Sequence, residues 1–186
     1  LGEVDGLWQG LRYEDARIPQ MHPTAGPRFC SVAAGDIDGD GDMDLYFGDY
    51  DSGTTQIYDY NNKLLINDGN GYFADESDLR LTEEMRLSAF GAASVMADMN
   101  ADGALDIVKQ TSLNPPQHIA VTYNNPNQEG VFNGYQIVDE LAPYFVSVGD
   151  LNGDGRLDMV VTDDGVDTYY LNQGNGGNGQ AQFAQR

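Results

Sequence analysis

The sequence predicts an all-β fold built from three related units. A nine-residue pattern, D-x-[DN]-x-D-G-x-x-D, occurs at residues 36–44 (DIDGDGDMD), 98–106 (DMNADGALD) and 150–158 (DLNGDGRLD). Each copy is flanked by short runs rich in Val, Ile, Leu and aromatic residues, such as DLYFGD after the first copy and FVSVG before the third. Such runs are typical of β-strands. We therefore expect each copy to be a loop that joins two strands.

The chemistry of the pattern indicates a cation site. Positions 1, 3, 5 and 9 carry side-chain oxygens, and position 6 is always glycine. Alternate residues of a tight loop can direct their oxygens at one centre, and glycine permits the bend that brings position 9 back to it. A set of oxygen ligands without His or Cys favours a hard cation, and the number of oxygens suits calcium better than magnesium. We therefore predict three calcium sites.

The predicted ligands are the side chains at positions 1, 3, 5 and 9 and the backbone carbonyl at position 7. In the first loop they are Asp36, Asp38, Asp40, Asp44 and the carbonyl of Asp42; in the second Asp98, Asn100, Asp102, Asp106 and the carbonyl of Ala104; in the third Asp150, Asn152, Asp154, Asp158 and the carbonyl of Arg156. Simple polar turns are the alternative, because Asp-Gly and Asn-Gly pairs are common in turns. Three copies of one long pattern argue against it.

The loops do not fit an EF-hand. That motif needs a glutamate at position 12, where this chain has Phe47, Lys109 and Val161 within expected strands. The unit of strand, calcium loop and strand instead resembles the FG-GAP or VCBS repeat of integrin α-subunit β-propellers and bacterial surface proteins. Residues 90–93 (FGAA) are close to the motif that names the family, and residues 62–73 (NKLLINDGNGYF) look like the strand and hairpin that follow the loop.

The resemblance covers roughly residues 29–186. It implies propeller-type blades of four antiparallel strands, with calcium held between the first two strands of each blade, and no catalytic activity. The expected division is an N-terminal strand and loop at 1–28 and blades at 29–83, 84–139 and 140–186, all within one structural domain. Propellers close with four to eight blades, so three blades are expected to belong to a larger propeller or to an array assembled from several chains.

The strand boundaries follow from the apolar runs and the turn residues between them. The predicted strands are 29–35, 44–49, 63–67 and 72–75; 90–97, 105–110, 118–123 and 131–138; and 144–149, 157–162, 167–172 and 181–185. A further strand is expected around residues 7–13, and a short helical turn at 82–87.

Composition limits the classes of partner. The 186 residues are 40% hydrophobic, which is enough for one sizeable core. The net charge of −21 makes nucleic acid and anionic membranes poor partners, and three calcium ions would reduce it only to −15. No apolar run approaches the ~20 residues needed to span a bilayer, so we expect no membrane insertion.

The calcium loops also suggest a location. Extracellular calcium modules bind at ~0.1–1 mM, so they would be empty in a cytosol and filled outside the cell. We expect an extracellular or cell-surface module that acts in protein interaction or adhesion, with other proteins or copies of itself as partners. The chain starts at Leu1 without a signal peptide, as a processed chain or an internal fragment would.

Three other functions remain open. The first is a self-assembling subunit of an extracellular filament or surface polymer. The second is a lectin-like module whose tyrosines stack on glycans, and the third is a non-catalytic module of a secreted enzyme. The candidate stacking residues are Tyr58, Tyr60, Tyr123, Tyr135, Tyr169 and Tyr170.

Other motifs predict no catalysis. Residues 174–179 (GNGGNG) match a nucleotide-binding glycine pattern, but too few residues follow for a phosphate-binding helix, so we expect a hairpin loop. His22 and His118 lack a recognisable nucleophile nearby in the sequence. Cys30 is expected to be a buried small apolar residue of the first strand.

Overall fold

The computed structural model describes residues 3–4, 7–8, 17–19, 29–49, 62–86, 93–111, 118–140, 143–163 and 165–186. Twelve strands in this part of the chain form three antiparallel four-stranded sheets, and two short strands form an N-terminal pair. The predicted all-β class is confirmed.

Each large sheet is a meander in which neighbouring strands follow one another along the chain. The first sheet contains β3 (Phe29–Gly35), β4 (Asp44–Asp49), β5 (Lys63–Asn67) and β6 (Phe73–Asp75); the second β7 (Ser94–Ala97), β8 (Asp106–Thr111), β9 (His118–Asn124) and β10 (Phe132–Asp139); the third β11 (Phe145–Gly149), β12 (Asp158–Thr162), β13 (Thr168–Asn175) and β14 (Ala181–Gln185). The N-terminal pair is β1 (Glu3–Val4) with β2 (Leu7–Trp8).

Most predicted strand boundaries agree with the structure to within one residue. Two strands differ by more: β7 was expected from residue 90 but begins at Ser94, with Ala93 outside it, and β13 was expected to end at residue 172 but extends to Asn175. A register shift after Asn172 lets the strand resume pairing at Asn175 with Ala181. The glycine-rich segment after it is the predicted hairpin loop, closed by a bond from the Gly176 N–H to the Gln180 carbonyl.

Two four-residue helices follow the first sheet: α1 (Ser77–Arg80), which the sequence analysis missed, and α2 (Glu83–Arg86), which lies within the predicted helical turn. The predictions for His22, Tyr58, Tyr60 and residues 90–92 lie outside the described residues.

Two apolar layers join the sheets. The layer between the first and second sheets contains Ile37, Tyr46, Leu64, Ile66, Leu81, Met85, Ile107 and Phe132. The layer between the second and third contains Met99, Val108, Ile119, Val121, Tyr123, Val146, Met159, Val161 and Tyr170. All seven residues of β9 are buried, so the second sheet is enclosed between its two neighbours.

The prediction for Cys30 was wrong, because this residue is exposed. Side chains alternate along a strand, and Cys30 shares the exposed side of β3 with Val32 and Ala34. The reason for the error is that burial of this side depends on a neighbouring sheet, and the second sheet covers the opposite side.

Lys109 is a buried cation in the second sheet. Its Nζ donates to the carbonyls of Glu84 and Met85, at 3.3 Å in each case, and lies 5.8 Å from the centre of the Tyr135 ring. Burial lowers the pKa of Lys109 to about 7. The adjacent His118, which is hydrogen-bonded to Tyr135, has a pKa lowered to about 4 by burial and therefore titrates at lower pH.

This arrangement predicts a pH-dependent stability. Between about pH 7 and pH 10 the folded state releases the Lys109 proton while the unfolded chain retains it, so unfolding takes up a proton and rising pH favours the folded state. We expect the free energy of unfolding to rise by about 2–3 kcal/mol from pH 7 to pH 9.5, and Lys109→Met to remove that rise. Urea denaturation at both pH values measures it. Lys63→Met, at a more exposed lysine paired with Asp75, is the control that should retain the rise. An unchanged pH dependence in Lys109→Met would contradict the prediction.

Candidate metal centres

The three acidic loops close in the same way. Each lies between the first and second strands of a sheet, and the residue before position 1 pairs with position 9: Gly35 with Asp44, Ala97 with Asp106, and Gly149 with Asp158. The sequence prediction that each loop joins two strands is confirmed.

The loop backbone is left-handed at two positions. At position 6, φ is 95° at Gly41, 97° at Gly103 and 84° at Gly155; at position 4 it is 76° at Gly39, 56° at Ala101 and 78° at Gly153. The glycine at position 6 was predicted from the sequence pattern, whereas the left-handed conformation at position 4 was not. Ala101 takes this conformation in the second loop, which costs a residue with a Cβ about 1 kcal/mol.

The position 1 carboxylate organises each loop from within. The N–H of position 6 donates to Oδ2 of position 1, at 3.0 Å for Asp36, 2.9 Å for Asp98 and 2.9 Å for Asp150. In the third loop, the backbone N–H groups of Gly155, Gly153 and Asp154 all donate to Asp150 and lower its pKa, and the bond from Gly155 has the largest effect. The geometry therefore favours the ionised form of Asp150, and it fixes the orientation of the position 1 carboxylate in all three loops.

The first loop brings three carboxylates together. One oxygen from each of Asp36, Asp38 and Asp40 lies within 4.8 Å of the others. Oδ2 of Asp38 accepts a bond from Arg80 Nη2 at 3.1 Å, whereas its Oδ1 is buried and has no hydrogen-bond partner. A buried carboxylate oxygen without a partner is unfavourable, and a bound cation would supply one. The residues present therefore fit a hard cation.

The second and third loops hold less negative charge. Asn100 Nδ2 donates to Asp102 Oδ2 at 2.9 Å, and Asn152 Nδ2 donates to Asp154 Oδ2 at the same distance. The asparagine at position 3 thus separates charges that are adjacent in the first loop. Arg156, at position 7, adds an ion pair with Asp154 at 2.5 Å.

The position 7 side chains take no common orientation. Ala104 is buried, Asp42 is half-buried, and Arg156 donates from Nε to the Asn172 carbonyl at 2.8 Å. This variety suits a position where the backbone carbonyl is the predicted ligand, and that role stays a prediction.

The position 9 carboxylates are fully buried and bond to the backbone on both sides. In the first loop Oδ2 of Asp44 accepts the Ile37 N–H at 3.0 Å, and Oδ1 accepts the Asn67 N–H from the third strand at 2.8 Å. The same pair of bonds links Asp106 to Met99 and Asn124, and Asp158 to Leu151 and Asn172. Each carboxylate therefore fastens its loop to the sheet. Carboxylate oxygens retain further lone pairs, so their role as calcium ligands stays a prediction.

Burial raises the pKa of Asp106 to about 7, and the charges of Asp102 and Asp98 add to the effect. Burial likewise raises the pKa of Asp44. A nearby cation would oppose these shifts, because it favours the ionised form. The electrostatics of the first and second loops are therefore those of sites that a cation would stabilise.

Sequence reasoning missed one recurring residue. An asparagine ends the apolar part of each third strand, and its Nδ2 donates to the carbonyl at position 8: Asn67 to Met43, Asn124 to Leu105, and Asn172 to Leu157. The signal was an asparagine that follows an apolar run and precedes turn residues. Its distance along the chain from the loop differs in each unit, so the pattern of nine residues did not include it.

The tyrosines considered for glycan stacking differ in exposure. Tyr123 and Tyr170 are buried, Tyr135 is half-buried against His118, and Tyr169 is exposed. Among the described residues of that set, Tyr169 therefore offers the most accessible ring, and glycan binding stays a prediction.

No model of a known protein family matches the chain, and no curated protein is significantly similar to it in sequence. The resemblance to FG-GAP and VCBS repeats thus rests on the loop pattern and its flanking strands. Within the described part of the chain, no helix has the length and apolar character needed to cross a bilayer.

Proposed function

We propose that the chain is a calcium-binding module that acts outside the cell or on its surface by binding other proteins. The observation that carries the proposal is the shared construction of the three loops, above all the three clustered carboxylates of the first loop around a buried oxygen of Asp38 that lacks a partner. The calcium ions have a structural role, because they neutralise the loops and fix the connection between the first two strands of each sheet. No catalytic role is assigned.

We further propose that the three sheets are propeller-type blades. Each is a four-stranded antiparallel meander with its acidic loop between the first and second strands, as the resemblance implies. Adjacent sheets bury apolar faces against each other, which is how blades are joined in such folds. The second candidate function, a self-assembling subunit, is supported by apolar side chains that remain exposed on the first and third sheets.

Calorimetric titration tests the calcium assignment. We expect the metal-free protein to bind three calcium ions per chain, with dissociation constants of about 0.1–1 mM or tighter, and magnesium to bind more weakly. The first loop should bind most tightly, because its five carboxylates exceed the three in each other loop.

Single substitutions at position 5 assign the sites. Asp40→Ala, Asp102→Ala and Asp154→Ala should each abolish one binding event and leave the other two. Asp163→Ala, at an exposed residue outside the loops, is the control that should retain all three. Absence of calcium binding up to about 10 mM would contradict the proposal, since it exceeds the range of extracellular calcium modules.

A further inference from the structure

The two contacts between sheets use equivalent residues. The first sheet faces the second through Ile37 at position 2 of its loop, through Tyr46 two residues after position 9, and through Leu64 and Ile66 of its third strand. The second sheet faces the third through the residues at the same places. They are Met99, Val108, Val121 and Tyr123. All eight side chains are buried.

The opposing halves of the two contacts are equivalent as well. The second sheet faces the first through Met96, Leu105 and Ile107, and the third faces the second through Val148, Leu157 and Met159 at the same places. Each contact also contains one bond from the third-strand asparagine to the position 2 carbonyl of the preceding sheet. Asn124 Nδ2 donates to the Ile37 carbonyl at 2.8 Å, and Asn172 Nδ2 donates to the Met99 carbonyl at 2.9 Å. One interface therefore occurs twice within the chain.

The third sheet also has the residues through which the first and second sheets each face the next sheet, but here this face is partly exposed. Its equivalent residues are Leu151, Val160, Tyr169 and Leu171, and all four line a groove of about 430 Å³. Leu151 is 48% exposed and Tyr169 44% exposed, although their counterparts in the other sheets are buried. A Cβ added at Gly35 would meet Leu105 and Met96 of the second sheet, whereas one added at the equivalent Gly149 would meet nothing within 4 Å.

The first sheet has the residues through which the second and third sheets each face the preceding sheet, and here this face is exposed. Val32 is 56% exposed and Met43 53% exposed, and these residues are equivalent to the buried Val146 and the partly buried Leu157 of the third sheet. Ala34, two residues after Val32 on the same side of β3, is also exposed and is the counterpart of Met96 and Val148. Asn67 donates to the Met43 carbonyl as its counterparts do, and it occupies the place from which they also reach a preceding sheet.

We propose that these two open faces bind each other between copies of the chain. The third sheet of one copy would receive the first sheet of the next, and Asn67 of that next copy would donate to the Leu151 carbonyl. The two faces are different surfaces, so the contact is head-to-tail and can continue into a ring or a filament. The inference rests on the protein-interaction part of the proposed function and names its partner, but it does not depend on calcium.

Charge sets the conditions for the test. With a net charge of −21, copies repel one another, and the repulsion is screened beyond about 8 Å at 0.15 M ionic strength. Sedimentation velocity of the 186-residue chain should therefore be measured at about 0.15 M salt and repeated at higher salt, where association should strengthen. We expect the average mass to rise with concentration to at least twice that of the monomer.

Two variants each block one face. Leu151→Glu with Tyr169→Glu blocks the third sheet, and Val32→Glu with Met43→Glu blocks the first; all four positions are exposed, so folding should be retained and circular dichroism checks it. Each variant alone should be monomeric. Mixed together they should form a 1:1 dimer and nothing larger, because each still carries the face that the other has lost. Leu79→Glu, at an exposed residue of α1, should assemble like the unaltered chain.

Three outcomes would overturn the inference: a monomeric unaltered chain up to about 1 mM, a blocked variant that assembles normally, or a mixture that stays monomeric. The same measurements with a chelator separate the two proposals. Assembly without calcium binding would leave the head-to-tail contact standing and remove the calcium assignment, and calcium binding by a permanently monomeric chain would do the reverse.

Discussion

Removal of calcium is expected to lower the melting temperature of this protein by about 10–20 °C. At ~2 mM free calcium and a dissociation constant of ~0.1 mM, each site adds about 1.8 kcal/mol by mass action, and three sites add about 5 kcal/mol. A change of 1 kcal/mol shifts the melting temperature of a chain of this size by about 2–4 °C. The stabilisation is comparable with the net stability of many domains, roughly 5–15 kcal/mol.

Scanning calorimetry across a calcium titration, from chelator to ~5 mM, measures this shift. The melting temperature should rise with the logarithm of calcium concentration once the sites begin to fill. A magnesium titration at equal ionic strength is the control, because it reproduces the screening of the acidic loops without the preferred coordination. Equal shifts with both ions would attribute the stabilisation to screening, and the absence of any shift would contradict the structural role of calcium.

The substitution with the largest expected effect is Asp106→Ala. The carboxylate of Asp106 is fully buried and accepts the N–H groups of Met99 and Asn124, which would both lose their partner. Hydrogen bonds to charged groups contribute about 1.5–3 kcal/mol each. At a pH above the Asp106 pKa of about 7, we therefore expect the free energy of unfolding, measured by urea denaturation, to fall by about 3–6 kcal/mol. Asp106→Asn retains one acceptor oxygen, so it should lower the free energy of unfolding by about half as much as Asp106→Ala does.

Asp102→Ala is the matched control, because Asp102 is exposed in the same loop and makes no bond to the third strand. In saturating calcium, Asp102→Ala should lower the free energy of unfolding by about 2 kcal/mol, which is the stabilisation expected from one calcium site. In chelator this decrease should nearly vanish. The loss in Asp106→Ala should persist in chelator. Equal losses in the two variants under both conditions would show that Asp106 acts only as a ligand.

The proposals differ in how they depend on the repeated loop. The calcium assignment can be made for each loop separately. The first loop alone would support it, because Asp36, Asp38 and Asp40 place carboxylate oxygens close together. The head-to-tail contact depends on the repetition itself, because the exposed Leu151 and Val32 have buried counterparts in other sheets, namely Ile37 and Met99 for Leu151 and Val146 for Val32. Threefold repetition thus provides internal controls that a single unit would not.

Local interactions explain what could be predicted from the sequence. Strands such as β4 and β5 begin and end where apolar runs meet turn residues, and the loop pattern contains its own bend at Gly41. The left-handed conformation at Ala101 was missed because the residue type gave no indication of it. The helix α1 was missed because four residues provide too little periodicity to recognise.

The sequence by itself determined the all-β class, the three loops and most strand boundaries, because these depend on residues that are neighbours along the chain. The tertiary structure alone decided that Asp106 fastens its loop to β9, that Asn124 joins two sheets, and that Cys30 is exposed. Those features depend on which strands pair and on which face of each sheet packs against the neighbouring sheet. Contacts between faces join residues far apart along the chain, at separations that differ from unit to unit, so no fixed spacing in the sequence encodes them.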